Sequence, residues 1–326
     1  MPDPVKIASF NMYKFSYRRD KEIRKNLSKI ADIICGEGFS IVAMQEALNE
    51  GAVQQLMLCL GPTWEYKWDH PISGHSAPQA AEGYAYLWKK SEFRLATGRK
   101  SEEDTTSGAR KTYDPRIFHQ YPRDPILTYG RLARDPFYIR LESLFGWYEI
   151  RLINTHIMFS NRAGAEDEAG VSASNVQKRR QELAALIHIY SRLSVEQYRS
   201  RRPSYTFLLG DYNLNLKREW IKPPYLTDEV VEEFENGRLL KKIVTVQDKL
   251  TTLKSRSVNE PGKPAQGFAN NYDHFTFDEL RFTGMQHPIC DRIDSVQKYC
   301  DGDFELHRKE ISDHVPICLS FSLNER

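Results

Sequence analysis

With 40% hydrophobic and 12% aromatic residues, a chain of 326 residues has enough apolar side chains for a large core. Its 46 Lys+Arg nearly balance 44 Asp+Glu, so net charge does not announce a nucleic-acid binder, and any steering must come from local basic patches. The opening MPDPVKIASFNMYKF lacks the secretory pattern, and no apolar run approaches the roughly 18–20 residues that span a bilayer, so a cytoplasmic protein without a membrane span is expected.

Short apolar runs bounded by polar turns read as buried strands. In chain order they are VKIASF (5–10), SIVAMQ (40–45), YAYLWK (84–89), FYIRLE (137–142), YEIRLINTHI (148–157), YTFLLGD (205–211), YDHFTFD (272–278) and VPICLSFSL (315–323). Helical spacing appears between some of them. Residues 22–37 put Ile23, Leu27, Ile30, Ile33 and Ile34 on one face, 176–193 put Leu183, Leu186, Ile187 and Tyr190 on another, and 50–60 form a third helix. Strands outnumber helices, and some follow each other through short turns. That mixture predicts two mostly antiparallel sheets with helices outside, rather than a doubly wound parallel sheet. Polar stretches at 97–125, 160–175 and 254–271 read as loop insertions within one domain spanning 1–326. Cys35, Cys59, Cys290, Cys300 and Cys318 are scattered and odd in number, as expected of reduced thiols.

The informative residues lie at strand ends. Asn11 closes the first strand, and Gln45-Glu46 the second. Asn154-Thr155-His156 end another strand, and Gly210-Asp211-Tyr212-Asn213 end the one at 205–211. Tyr272-Asp273-His274 open a further strand, and Ser312-Asp313-His314 precede the last. Singly, each suits a turn or a strand cap. Jointly, carboxylates, amides and two histidines recur at the ends of several strands, where a rigid scaffold meets open loops. These residue types fit phosphodiester hydrolysis. A hard divalent cation takes oxygen ligands, a histidine moves protons near neutral pH, and a carboxylate behind a histidine fixes its tautomer.

SFNMY, QE, NTH, GDYN and SDH, in that order, resemble the endonuclease/exonuclease/phosphatase superfamily from Asn11 to His314, and most closely its deoxyribonuclease I-like members. The resemblance implies a four-layer α/β/β/α sandwich and dependence on one or two Mg²⁺ ions, or Mn²⁺ or Ca²⁺. It pairs His156 with Glu82 and His314 with Asp273. It assigns Glu46 and Asp313, helped by Asn11, to the metal. Asp211 and Asn213 fall at the scissile phosphate or at a second metal. Arg134 and Asn154 fall to substrate phosphate. The activity implied is an endonuclease acting on DNA, or RNA, with low sequence specificity. Cys290-Asp291-Arg292-Ile293-Asp294 resembles an element of inositol polyphosphate phosphatases, which makes Asp291 and Asp294 rivals of Asp273. It also keeps open a phosphatase or phosphodiesterase acting on inositol phosphates or phospholipids. Arg292-Ile293-Asp294 matches in part an element of abasic-site endonucleases. Arg99, Lys100, Arg110, Lys111, Arg116 and Arg123, interleaved with Tyr113, Phe118, His119 and Tyr121, suit a nucleic-acid backbone with exposed bases, and Lys178, Arg179 and Arg180 open the helix after His156.

Overall fold

Alternation along the strands divides the apolar side chains between two faces. On β1 (Val5–Phe15) and β2 (Ile41–Ala47), Ile7, Ile41 and Ala43 face one way, and Ala8, Phe10, Val42 and Met44 the other. A computed structural model of the chain describes residues 4–17, 25–69, 82–96, 116–117, 132, 134–158, 175–196, 198, 200–216, 219–220, 243–255, 266–282 and 287–323. The first face meets its counterpart from a second sheet. Tyr86, Trp88 and Leu319 pack there with Ile139, Leu152, Phe207, Leu209, Phe275 and Phe277 in the inter-sheet core. The opposite face of the first sheet is covered by α1 (Leu27–Gly36) and α2 (Glu50–Leu60). The outer face of the second sheet is covered by α3 (Asn175–Val195), through Leu183, Leu186, Ile187 and Tyr190. The result is helix, sheet, sheet, helix: the expected four layers.

The remaining strands are β3 (Trp64–Asp69), β4 (Tyr84–Lys89), β5 (Phe93–Leu95), β6 (Arg116–Ile117), β7 (Phe137–Ser143), β8 (Glu149–His156), β9 (Ser204–Asp211), β10 (Glu219–Trp220), β11 (Ile243–Val246), β12 (Asp273–Asp278), β13 (Ile289–Arg292) and β14 (Ile317–Phe321). The first sheet runs β13-β14-β1-β2-β4-β3, and the second β10-β11-β12-β9-β8-β7-β5, with β6 beside β7. Most neighbours are antiparallel, as expected. Each sheet nevertheless holds one parallel pair, β1 with β2 and β8 with β9. A parallel pair needs a crossover, and α1 and α3 supply the two crossovers. Both parallel pairs end at the same end of the sandwich, where the site residues lie.

Several elements escape a reading of the sequence. The segment around Cys290–Asp294 is the edge strand β13 and the cap of the helix Ser295–Cys300, where an ordinary charged loop was the competing expectation. The first helix starts at Leu27, with the Asn26 side-chain oxygen accepting from Lys29 N, while Ile23 lies outside the described residues. Of the three expected loops, 97–115, 118–125, 160–174 and 256–265 lie outside the described residues, and with them Arg99, Lys100, Arg110, Lys111, Arg123, Tyr113, Phe118, His119 and Tyr121, whereas Arg116 lies in β6 and Lys178, Arg179 and Arg180 in α3. No described helix is long and apolar enough to cross a membrane.

The outer face of the second sheet carries a buried ion network under the end of α3. Glu149 accepts from Arg140 at 2.5 Å and from Arg151 at 2.6 Å, all three buried. Arg140 also stacks on the Tyr198 ring, and Arg151 donates to the Leu193 carbonyl. Removing the one carboxylate leaves two guanidinium groups buried without their counter-charge. Glu149→Ala should therefore lower unfolding free energy by about 3–5 kcal/mol in urea denaturation. A loss under about 1 kcal/mol would place this network with solvated surface pairs.

Candidate active site

Period-two alternation carries the core face straight into the site. On β8, Ile150, Leu152, Asn154 and His156 share one face; on β9, Phe207, Leu209 and Asp211; on β12, Phe277, Phe275 and Asp273. On β1 the same face ends in Ser9 and Asn11, and on β2 in Gln45. The inter-sheet core is thus apolar along most of its length and polar at one end. Strand register then fixes the neighbours. His156 pairs with Asp211 in the parallel ladder, and Asp273 with Asp211 in the antiparallel one. Gly210 sits at φ 141°, and a Cβ there would lie 1.9 Å from the Thr155 carbonyl oxygen, so only glycine lets β9 approach β8 this closely beside Asp211.

Two carboxylate–histidine pairs converge on one oxygen. His156 Nδ1 lies 2.8 Å from Glu82 Oε2, and His314 Nδ1 lies 2.8 Å from Asp273 Oδ2. The other ring nitrogens both face Asp211: His156 Nε2 is 3.6 Å and His314 Nε2 is 3.5 Å from Asp211 Oδ2. Asn11 Nδ2 donates to the same oxygen at 2.9 Å and to Glu46 Oε1 at 3.2 Å. A carboxylate only accepts, so Nδ1 of His314, hydrogen-bonded to Asp273, carries a proton and Nε2 of each ring is turned to the shared centre. The expected partnerships of His156 with Glu82 and His314 with Asp273 are therefore present in the geometry. Asp291 instead pairs with Lys249 at the surface, and Asp294 caps the helix Ser295–Cys300 and holds Arg292.

Glu46 breaks the alternation. Its φ is 55°, and the β1–β2 register jumps from Asn11↔Gln45 to Phe15↔Ala47. Tyr13 and Lys14, at φ 44° and 55°, form the bulge on β1, and Lys14 N donates to Glu46 Oε2 at 2.9 Å. Three residues held in the left-handed region at one strand end are strain concentrated at the site.

Two expectations are corrected by the hydrogen bonding. Asn11 is not turned as an oxygen ligand. Its carbonyl oxygen accepts from Tyr13 N at 2.9 Å and its amide nitrogen faces the carboxylates, so it bridges Glu46 to Asp211 as a donor. Asn154 is not turned to a substrate phosphate. Its oxygen accepts from Gln45 at 2.7 Å, its nitrogen donates to the Met44 carbonyl, and it is fully buried, so it clamps the two sheets together beneath the site. Asn213 donates to the Ile157 carbonyl, and its N–H to Asp211 Oδ1, which holds the turn after β9. Arg134 donates to Glu82 at 2.8 Å and to the His156 carbonyl, so it braces that pair and remains only partly buried at the rim.

Burial and charge set the protonation of the cluster. Burial alone would lower His314, but Asp273 and Asp211 outweigh it and hold the ring well above the usual histidine range. Burial raises Asp211, against the pull of His314 and His156. The direction that follows is a cationic His314 between two carboxylates. Burial would also raise Glu82, but contact with His156, with Arg134 and Lys14 nearby, leaves it lowered. Lys25, which no sequence pattern marks, is brought down to about 8, chiefly by burial, while Asp313 and Glu46 pull it back up. Its ammonium lies over the Tyr13 ring, as does that of Lys14.

The donor set suits a hard divalent cation. Glu46, Glu82 and His156 bring ligand atoms within 4.8 Å of one another, as do Asp211, Asp273 and His314. Most of these atoms already serve the histidine pairs, however, and Glu82 is further committed to Arg134. Glu46 is the carboxylate least committed. Asp313 stands outside both groups, yet its Oδ1 is buried without a partner, and Lys25 is drawn to both Asp313 and Glu46. The expected ligands Glu46 and Asp313 both lie near Lys25, Glu46 accepting from Asn11 and Lys14 N and Asp313 facing Arg308, and only Glu46 falls within a group of converging ligand atoms.

No family model matches the chain, and no curated protein matches it. Solved structures do resemble it. An endonuclease/exonuclease/phosphatase from Bacteroides vulgatus is 14% identical, covers 98% of this chain and 99% of its own, and superposes with a TM-score of 0.53. TDP2 from C. elegans is 14% identical over 98% of this chain and 75% of its own, with a TM-score of 0.52. A mannosyl-6-phosphatase from Bacteroides thetaiotaomicron is 13% identical over 98% of this chain and 100% of its own, with a TM-score of 0.50. The structural neighbours are endonuclease/exonuclease/phosphatase proteins, and the chain has their fold.

Proposed function

We propose that this protein is a divalent-metal-dependent phosphoric ester hydrolase whose substrate is a nucleic-acid phosphodiester, DNA in the first instance. The observation that carries the reading is the convergence of His156 Nε2 and His314 Nε2 on Asp211 Oδ2 at 3.6 and 3.5 Å, each ring backed by its own carboxylate. Such a centre can take a proton from water and give one to a leaving oxygen. Asp211, raised by burial, accepts the proton of the attacking water. The water oxygen bonds to phosphorus as the bond from phosphorus to the leaving oxygen breaks, and the leaving oxygen takes a proton from the His314 imidazolium. Glu46 and Asp313 would hold Mg²⁺, with Mn²⁺ or Ca²⁺ as alternatives. When bound, the ion supplies charge stabilisation on the phosphoryl oxygens. Asn11 keeps Glu46 and Asp211 in register, and Asn213 holds Asp211 through its N–H.

The polyanionic substrate is favoured by the cations around the centre. Lys25 lies near Glu46, Lys14 and Arg134 act on Glu82, Arg179 reaches the Asn213 carbonyl, and Arg308 faces Asp313. A phosphomonoester is the second reading, supported by the likeness to a mannosyl-6-phosphatase. The inositol-phosphate reading loses its residues, because Asp291 and Asp294 are engaged away from His314.

Supercoiled plasmid and a sugar 6-phosphate should be incubated with the protein in Mg²⁺, with and without EDTA, beside His314→Ala. The expected result is plasmid nicking that EDTA abolishes and His314→Ala slows by about 10²–10⁴-fold. Release of inorganic phosphate with intact plasmid would move the substrate to the phosphomonoester. Activity that survives EDTA would refute the metal.

A further inference from the structure

We infer that His307 is a positioning residue whose buried imidazole, acting through Ser312, fixes the loop that carries Asp313 and His314 and sets the Asn11 peptide against it. His307 lies in the helix Phe304–Glu310 and is fully buried. Its Nδ1 is 2.8 Å from the Ser312 carbonyl oxygen. A carbonyl only accepts, so Nδ1 carries the ring proton. Nε2 is 2.7 Å from Ser295 Oγ and, in the neutral ring, accepts from that hydroxyl. The backbone carbonyl of His307 accepts in turn from Ile311 N at 2.8 Å and from Ser312 N at 3.0 Å. One residue therefore holds both the N–H and the C=O of Ser312.

Ser312 passes that constraint on. Its hydroxyl donates to the Asn11 carbonyl at 2.6 Å and accepts from His314 N at 3.1 Å. Asn11 bridges Glu46 and Asp211, and the His314 ring meets Asp273 and Asp211. A continuous buried chain thus runs from Ser295 through His307 and Ser312 to both halves of the proposed centre. Burial pushes the His307 ring down to about 4, so at neutral pH it stays uncharged and keeps this donor–acceptor polarity. An apolar side chain of similar size would fill the space but leave the Ser312 carbonyl without its donor, and a buried unpaired carbonyl is free to reorient.

The polarity gives a test that packing alone does not. In His307→Asn the amide nitrogen takes the place of Nδ1 and can still donate to Ser312. In His307→Gln the amide reaches the place of Nε2 and cannot. Both variants and the wild type would be compared by thermal unfolding, by steady-state kinetics on the substrate identified above, and by ¹⁵N-histidine NMR of the His314 Nδ1–H held by Asp273. The kinetic half rests on the proposed hydrolase function; the NMR half does not. His307→Gln should lose about 10–100-fold in kcat with KM unchanged, the scale of an outer-shell partner, and should lose or broaden the His314 Nδ1–H resonance. His307→Asn should recover most of both at a similar melting temperature. Equal behaviour of the two variants, or losses that follow melting temperature alone, would overturn the proposal. If the wild type hydrolyses nothing, the proposed function fails and the NMR comparison alone decides the role of His307. If His307→Gln does not fold, Ser295→Ala takes its place, with a smaller change in the same direction expected and no change overturning the inference.

Discussion

Asp211→Asn should lower turnover by about 10²–10⁴-fold, near the upper end of what one proton-transfer group contributes, while the protein stays folded. The size follows from convergence. Asp211 Oδ2 is the one atom that meets Nε2 of both histidines and Nδ2 of Asn11, so the substitution disturbs three partners at once. The amide is isosteric, which preserves packing, but it removes the charge and the base. It also removes one of the carboxylates that hold His314 up, second only to Asp273. The sign follows directly. A histidine acting as proton donor works below its pKa, so activity falls as pH rises through that value, and lowering the value brings the fall to lower pH. The alkaline limb of kcat/KM against pH should therefore move down in Asp211→Asn. Near-normal turnover with an unmoved limb would take Asp211 out of the proton path.

The skeleton of this centre was legible in the sequence because it is written in period two. Asn154, His156, Asp211 and Asp273 continue the apolar face of their strands, so reading the strands already places them at one end of one core. The resemblance paired His314 with Asp273 and left Asp291 and Asp294 as rivals; the register that sets Asp273 opposite Asp211, and the edge position of Asp291, belong to the fold. What escaped depends on backbone departures or on distant contacts. The orientation of the Asn11 amide is decided by an N–H two residues on, in a bulge no periodicity marks. Asn154 opens the expected Asn154-Thr155-His156 motif but is spent on Gln45 across the sheets. Lys25 and His307 reach the centre from segments whose local pattern is only helical or charged. The two parallel pairs within the mostly antiparallel sheets were not singled out, because a strand does not announce the direction of its neighbour; the crossover helices do, once their lengths are weighed.

The two histidines look alike in sequence, yet their supports differ, and mutating the supports should separate them. Asp273→Asn should cost about 10⁴-fold in kcat, the scale seen when an amide behind a catalytic histidine inverts its tautomer. The side chain of Asp273 is 1% exposed, so no water can take over as acceptor for His314 Nδ1. The asparagine would satisfy that buried nitrogen best by donating to it, so Nδ1 could no longer hold a proton and the ring could not become the imidazolium that the mechanism needs. Glu82→Gln should cost only about 10–100-fold, as for an outer-shell partner. The side chain of Glu82 is 22% exposed and shared with Arg134, so solvent and the Gln carbonyl can both accept from His156 Nδ1. Measuring kcat for the two variants under identical metal concentrations tests the difference directly. A larger loss in Glu82→Gln would exchange the roles, making His156 the ring whose tautomer limits the reaction and His314 the assistant.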